Sequence, residues 1–103
     1  MSMVIPEYFT MPWLHVTVPA GFLDAVGLAD DLARDVSAAA GLGRGDVVTL
    51  ITVADASATP GALVMLAGRR REKSVEMGMV EAACRTVVRA VGVSADLVAV
   101  VRL

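Results

Sequence analysis

The sequence predicts a single α/β domain: a duplicated βαβ unit that forms a four-stranded sheet with two helices on one face. Its length of 103 residues is near the commonest size of one domain. Strand-like and helix-like segments follow each other in the same order twice, at a constant offset. Asp46 in the first half, for example, corresponds to Asp96 in the second, 50 positions later.

The first repeat covers residues 12–54. A strand is predicted over 12–18, which is rich in β-branched and aromatic residues and begins at a proline, where a missing N–H is tolerated. Helical spacing predicts a helix over 22–40 that ends at Gly41. The nearly continuous apolar run 47–54 is typical of a strand covered on both faces. The stripe predicted to be buried on this helix comprises Phe22, Val26, Ala29, Ala33, Val36 and Ala40.

The second repeat covers residues 62–102 and follows the same plan. Strands are predicted over 62–67 and 97–102, and a helix over 74–91 with Ser74 as its N-cap. Each repeat should pair its two strands in parallel through a right-handed crossover. The predicted buried stripe of the second helix comprises Val75, Met79, Ala83, Val87 and Ala90.

The apolar content of the chain predicts self-association. Hydrophobic residues make up 56% of the sequence and charged residues 19%. Two helices cover only one side of a four-stranded sheet, yet the predicted strands carry apolar residues on both faces. Because an uncovered apolar face is unstable in water, we expect it to pack against other copies of the chain.

Several classes of function are disfavoured by composition. A net charge of −2 argues against a nucleic-acid partner. No apolar run approaches the roughly 18 residues of a membrane span, and no signal-like segment opens the chain, so we expect a cytoplasmic protein without a membrane partner. One cysteine, Cys84, excludes an internal disulfide, and together with the single histidine, His15, it cannot form an ordinary zinc site. Cys84 is expected to pack in the core, and His15 to be a half-buried strand residue.

The Arg69-Arg70-Arg71 run, with Lys73 beside it, is a candidate anion site. It lies between the third strand and the second helix, where the positive end of the helix dipole disfavours cations unless an anion is near. Glu72 and Glu76 are internal candidates for that anion. A bound carboxylate or phosphate is the other, because the arginine fork suits both. A solvated run of surface charge remains an equal alternative.

Pro12 is the second candidate. If Met11 were the true start, its removal would expose proline as a secondary amine, which acts as a base when its pKa is lowered by nearby cations. In the chain as written the Pro12 nitrogen is a tertiary amide. A proline that merely begins a strand is therefore an equally good interpretation.

These features together resemble the tautomerase superfamily. The resemblance covers residues 11–103 and leaves 1–10 as an N-terminal extension. It is carried by the strand-initial Pro12-Trp13-Leu14-His15-Val16-Thr17-Val18-Pro19, by Val93-Ser94-Ala95-Asp96-Leu97-Val98 and by Gly68-Arg69-Arg70-Arg71-Glu72-Lys73-Ser74. The last segment is similar to the cis-3-chloroacrylic acid dehalogenases of that superfamily.

The resemblance implies a trimer with the sheets inside, and cofactor-free chemistry on 2-oxo acids, enols or unsaturated carboxylates. It implies that Pro12 is the catalytic amine and that Arg70 and Lys73, with Arg69 beside them, bind the substrate carboxylate. The residues expected to line the pocket are Leu14, Ala67, Val98, Val100, Tyr8 and Phe9. A tyrosine and an asparagine of the family are expected to be replaced by Val98 and Val100.

Three functions stay open on the sequence. The first is a proline-based tautomerase, or a related lyase or hydrolase, acting on a small carboxylate without a cofactor or metal. The second is a catalytically silent or proline-independent trimeric binding protein of the same fold, its pocket closed by residues 1–10. The third is a purely structural oligomeric module.

Overall fold

A computed structural model describes residues 11–103. The bounds of its strands and helices agree with the predicted segments to within three residues. The elements are β1 Trp13–Val18, α1 Ala25–Ala40, β2 Val48–Val53, β3 Ala62–Ala67, α2 Lys73–Val91 and β4 Val98–Arg102. A single turn of 3₁₀ helix precedes each of β2 and β4, at equivalent places in the two halves.

The four strands form one mixed sheet in the order β2-β1-β3-β4. β1 pairs in parallel with β2, and β3 with β4, so each half is a βαβ unit as predicted. The halves join through antiparallel pairing of β1 with β3, in which Trp13 lies opposite Ala67. The start of β1 therefore lies beside the end of β3.

One face of the sheet is covered by both helices and holds the core. Strand residues alternate, so that Leu14, Val16 and Val18 of β1 are buried beneath the helices. The opposite face is apolar and open: 50% of Leu50, 38% of Leu63 and 42% of Val101 is exposed. This confirms two helices on one face. Within one chain, β2 is an edge strand with only one face covered, by α1.

The predicted buried stripe of α1 is confirmed only in part: Val36 is buried and Phe22 and Ala40 pack against the core, but Val26, Ala29 and Ala33 are not buried. Leu28, Leu32 and Val36 face the core, whereas Val26 is 84% exposed. Burying leucines removes more apolar surface from water than burying the alanines of the predicted stripe, which explains the rotation of the helix. α1 also begins later than predicted, because the Asp24 carboxylate caps it by accepting the Gly27 N–H at 3.0 Å.

The predicted stripe of α2 is largely confirmed. Met79, Ala83 and Val87 are buried, although Ala90 at the last turn is exposed. Ser74 is not the N-cap: it lies in the first turn, and its hydroxyl donates to the Glu72 carboxylate at 3.2 Å. Within residues 11–103, no helix has the length and apolarity needed to cross a membrane.

Candidate functional site

The start of β1 and the end of β3 meet at Pro12 and Gly68. Pro12 is fully buried, and its carbonyl accepts the Val48 N–H at 2.9 Å. Gly68 has a φ of +124°, and a Cβ there would lie 2.8 Å from the Met11 carbonyl oxygen. Only glycine fits this approach without strain. Gly68 therefore sets how closely residues 68–71, called the arginine loop below, pass Pro12.

A cleft of about 310 Å³ opens beside this junction and is called the Met11 cleft below. It is lined by Met11, Leu42, Asp46, Arg69 and Arg71. Two arginines and one aspartate thus line the cleft together with the residue that precedes Pro12. The Asp46 carboxylate accepts the Gly43 N–H at 3.1 Å, which holds this acidic side chain at the end of its 3₁₀ turn.

The arginine run is divided between two surfaces. Arg69 and Arg71 line the Met11 cleft, whereas Arg70 lines a separate groove of about 390 Å³ against α2 and β4. Lys73 is an exposed residue at the start of α2 and lines neither. The geometry therefore brings Arg69 together with Met11 and does not bring Arg70 and Lys73 together with them. Arg71 was part of the candidate anion site in the sequence analysis, but it was not among the residues that the resemblance implies for binding the substrate carboxylate.

Glu76 and Arg102 form a largely buried ion pair behind the loop. Arg102 Nε lies 2.8 Å from Glu76 Oε2, and Arg102 Nη2 donates to Glu76 Oε1 at 3.0 Å. The hydrogen bonds from Arg102 hold the pKa of the Glu76 carboxyl below its ordinary value, despite the opposing effect of burial. Glu76 was a predicted partner of the arginine run, but its partner Arg102 was missed. A cation ending an otherwise apolar strand was the available signal.

The predicted pocket-lining residues are placed on different faces. Ala67 borders a cleft of about 250 Å³ on the open face of the sheet, whereas the Leu14 side chain is buried in the core beneath the helices. Val98 and Val100 pack against the core on the helix side. Their neighbours Ala99 and Val101 are the β4 residues that lie on the open face, because side chains alternate along a strand. The remaining two, Tyr8 and Phe9, lie outside the described residues.

The remaining chemistry-bearing side chains lie apart from the Met11 cleft. His15 lies on the open face, where its Nε2 is 2.8 Å from the Thr52 hydroxyl. Cys84 is a free thiol, half-buried on α2. Across residues 11–103, no three histidine, cysteine or acidic side chains are grouped so as to hold a metal ion.

Comparison with known proteins identifies the fold. No protein-family model and no curated protein matches the sequence. Among solved structures, macrophage migration inhibitory factor from Giardia lamblia matches with a TM-score of 0.73 at 18% identity, over 90% of this chain and 98% of that one.

Two further solved structures match similarly. A fused 4-OT described as a symmetric trimer has a TM-score of 0.74 at 19% identity, over 88% of this chain and 83% of its own. Malonate semialdehyde decarboxylase has a TM-score of 0.71 at 17% identity, over 88% of this chain and 82% of its own. The chain therefore has the fold of the tautomerase superfamily.

Proposed function

We propose that the chain catalyses cofactor-free keto–enol tautomerisation, or related lyase or hydrolase chemistry, on a small 2-oxo or unsaturated carboxylate. The observation that carries this proposal is the junction of Pro12 with the arginine loop. Gly68 lies against the Met11–Pro12 segment, and Arg69 and Arg71 line the cleft beside it. A potential amine base and two candidate carboxylate-binding residues thus lie at one end of the two central strands.

Pro12 acts as the base in this mechanism when it is the first residue of the mature chain. Its secondary amine removes a proton from the enol hydroxyl or from the carbon next to the carbonyl, and the proton is returned at the other end of the enol system. Neighbouring guanidinium groups lower the pKa of such an amine and keep it unprotonated near neutral pH. With Met11 attached, the nitrogen is an amide and cannot take part.

The substrate carboxylate is bound by the arginine loop. Geometry favours Arg69 and Arg71, which line the Met11 cleft. The resemblance instead favours Arg70 and Lys73, so these two remain candidates for a site completed by another subunit. A guanidinium binds a carboxylate through two parallel hydrogen bonds, whereas a lysine offers a single point charge.

A homotrimer is the proposed assembly. The apolar face that holds Leu50, Leu63 and Val101 is uncovered in one chain. Covering it with other copies removes this surface from water, and closed symmetric assemblies are the usual solution. The trimeric description of fused 4-OT supports three copies. In keeping with the sequence analysis, we propose that this assembly is cytoplasmic.

A catalytically silent binding protein of the same fold is the alternative. One observation favours it: Pro12 is joined to Met11 and is fully buried. Such a protein would bind a small carboxylate at the arginine loop without turning it over.

A paired assay separates the two functions. The 103-residue chain and a version starting at Met11 are made, and their N-termini are confirmed by intact mass. Both are tested for ketonisation of phenylenolpyruvate and 2-hydroxymuconate. We expect activity in the shorter version, in which removal of Met11 frees the proline. The matched control is the shorter version with Pro12→Ala, which should lose most of that activity. If both chains are folded and inactive, the tautomerase proposal fails and the binding function is favoured.

A further inference from the structure

The backbone beneath Arg69 and Arg71 is held by side chains that come from elsewhere in the fold. Arg102 Nη2, on the last strand, donates to the carbonyls of Gly68 at 3.0 Å and Arg69 at 3.2 Å. Glu76 Oε1, on α2, accepts the Arg71 N–H at 2.8 Å. Three of the four residues from 68 to 71 are therefore bound by this pair.

The pair itself is built to be rigid. Arg102 Nε donates to Glu76 Oε2 at 2.8 Å, and Arg102 Nη2 donates to Glu76 Oε1 at 3.0 Å. These two parallel hydrogen bonds are the bidentate geometry of an arginine–carboxylate pair. The Arg102 side chain is 13% exposed and that of Glu76 14%, so solvent screens the pair less than it screens a surface ion pair. A third guanidinium nitrogen, Nη1, donates to the Leu66 carbonyl at 3.4 Å and ties the pair to β3.

We propose that Glu76 and Arg102 are positioning residues that fix the 68–71 loop and thereby aim Arg69 and Arg71 into the Met11 cleft. They act through the loop backbone and do not line that cleft themselves. This proposal rests on the carboxylate-binding part of the proposed function and is independent of turnover at Pro12. If the two arginines were not held in place beforehand, ligand binding would have to order the loop. The free energy of that ordering would be subtracted from the binding free energy, so the affinity would be lower.

The test combines loop exchange with ligand affinity in the full chain. Amide hydrogen exchange reports the Arg71 N–H, and an NMR titration measures the Kd of benzoate, with benzamide as the neutral analogue. The variants are Glu76→Gln, Glu76→Ala and Arg102→Lys. The matched control is Arg89→Gln, which breaks an ion pair of 3.2 Å with Asp35 between the helices, away from the loop.

We expect a graded result. Glu76→Gln keeps an oxygen that accepts the Arg71 N–H, so exchange should rise severalfold and the benzoate Kd about threefold. Glu76→Ala removes the acceptor, and both values should rise about tenfold. Arg102→Lys keeps the charge but loses the fork and should resemble Glu76→Gln. Arg89→Gln should change neither value by more than about twofold.

Three results would overturn the proposal. Unchanged Arg71 exchange in folded Glu76→Gln and Arg102→Lys would show that the pair does not fix the loop. Faster exchange with unchanged benzoate Kd would show that a fixed loop does not serve binding. Absence of benzoate binding by the wild-type chain would remove the carboxylate site and the positioning role together. By contrast, benzoate binding that weakens in the variants supports positioning even if no version of the chain turns over a substrate.

Discussion

The backbone of Gly68 passes so close to that of Pro12 that a Cβ added at Gly68 would lie 3.2 Å from the Pro12 Cα. The contact joins the end of β3 to the start of β1, which are antiparallel neighbours in the centre of the sheet. The two features singled out in the sequence, the strand-initial proline and the arginine run, are adjacent because of it.

Gly68→Ala should therefore destabilise the fold. The new methyl group would meet the Met11 carbonyl at 2.8 Å, on a backbone whose φ of +124° disfavours L-residues. We expect a loss of about 1–3 kcal/mol in the free energy of unfolding. Urea unfolding at one fixed protein concentration measures it. Gly45→Ala is the matched control, because a Cβ there meets nothing within 4 Å. Equal stability of the two variants would contradict this description of Gly68.

The open face of the sheet should control assembly. Leu50→Lys places a charge on the apolar surface that the proposed trimer buries, so the variant should dissociate to monomers. Sedimentation velocity measures the mass of the species. Leu23→Lys is the control, because Leu23 is 96% exposed and lies outside the sheet. A Leu50→Lys protein that keeps the wild-type mass would rule this face out as the subunit interface.

The strands and most helix ends could be predicted because local signals decide them. Gly41 and Gly92 end the two helices at φ values of 69° and 78°, a conformation that glycine adopts readily. The duplicated order of segments then fixed the pairing of strands within each half. The prediction that helices cover only one face of the sheet followed from the number of elements, two helices for four strands.

What could not be predicted depends on contacts across the fold. The buried side of α1 was predicted correctly only at Val36 and Ala40, because its sequence offers two apolar stripes and only packing selects the one with Leu28 and Leu32. Val98 and Val100 were expected in the pocket through the resemblance, whereas they pack on the helix side of the sheet, and the face that a strand residue occupies depends on strand pairing. The Glu76–Arg102 pair spans 26 residues, so neither periodicity nor spacing reveals it.

The two stripes of α1 can be distinguished by mutation. Leu32→Ala should cost about 2–5 kcal/mol, because Leu32 is fully buried and its truncation leaves a cavity. Val26→Ala should change stability by less than about 0.5 kcal/mol, because Val26 is 84% exposed. Thermal unfolding of both variants at equal concentration checks the difference. A larger effect at Val26 would restore the stripe predicted from the sequence.

The Glu76–Arg102 pair should make stability fall in acid. The pKa of Glu76 is lowered in the folded chain, chiefly by hydrogen bonds from Arg102, so folding is favoured when this carboxyl is ionised. Its contribution is present above the ordinary value of 4.5 and is lost as pH falls through the lower folded value. Glu76→Gln should therefore have a lower free energy of unfolding than the wild type at pH 7, and this difference should narrow below pH 4.5. Glu81→Gln, an exposed change on the same helix, should show no such difference. A difference for Glu76→Gln that stays constant with pH would contradict the linkage.

The cations of the arginine loop should differ in their effect on carboxylate binding. Arg69 and Arg71 line the Met11 cleft, so Arg69→Gln or Arg71→Gln removes a charge-assisted contact worth about 1.5–3 kcal/mol. The Kd of benzoate should rise about tenfold or more, since 1.4 kcal/mol corresponds to about tenfold. Lys73→Gln, at an exposed position outside the cleft, should change it by less than about twofold. The neutral analogue benzamide should be insensitive to all three changes, because it has no charge to lose a partner. The contrary result would be a benzoate Kd that rises on replacing Lys73 or Arg70 and is unchanged on replacing Arg69. It would mean that the carboxylate is bound by Arg70 and Lys73, as the resemblance to the dehalogenases implies. The site would then lie in the groove against α2 or at a subunit boundary, and not in the Met11 cleft.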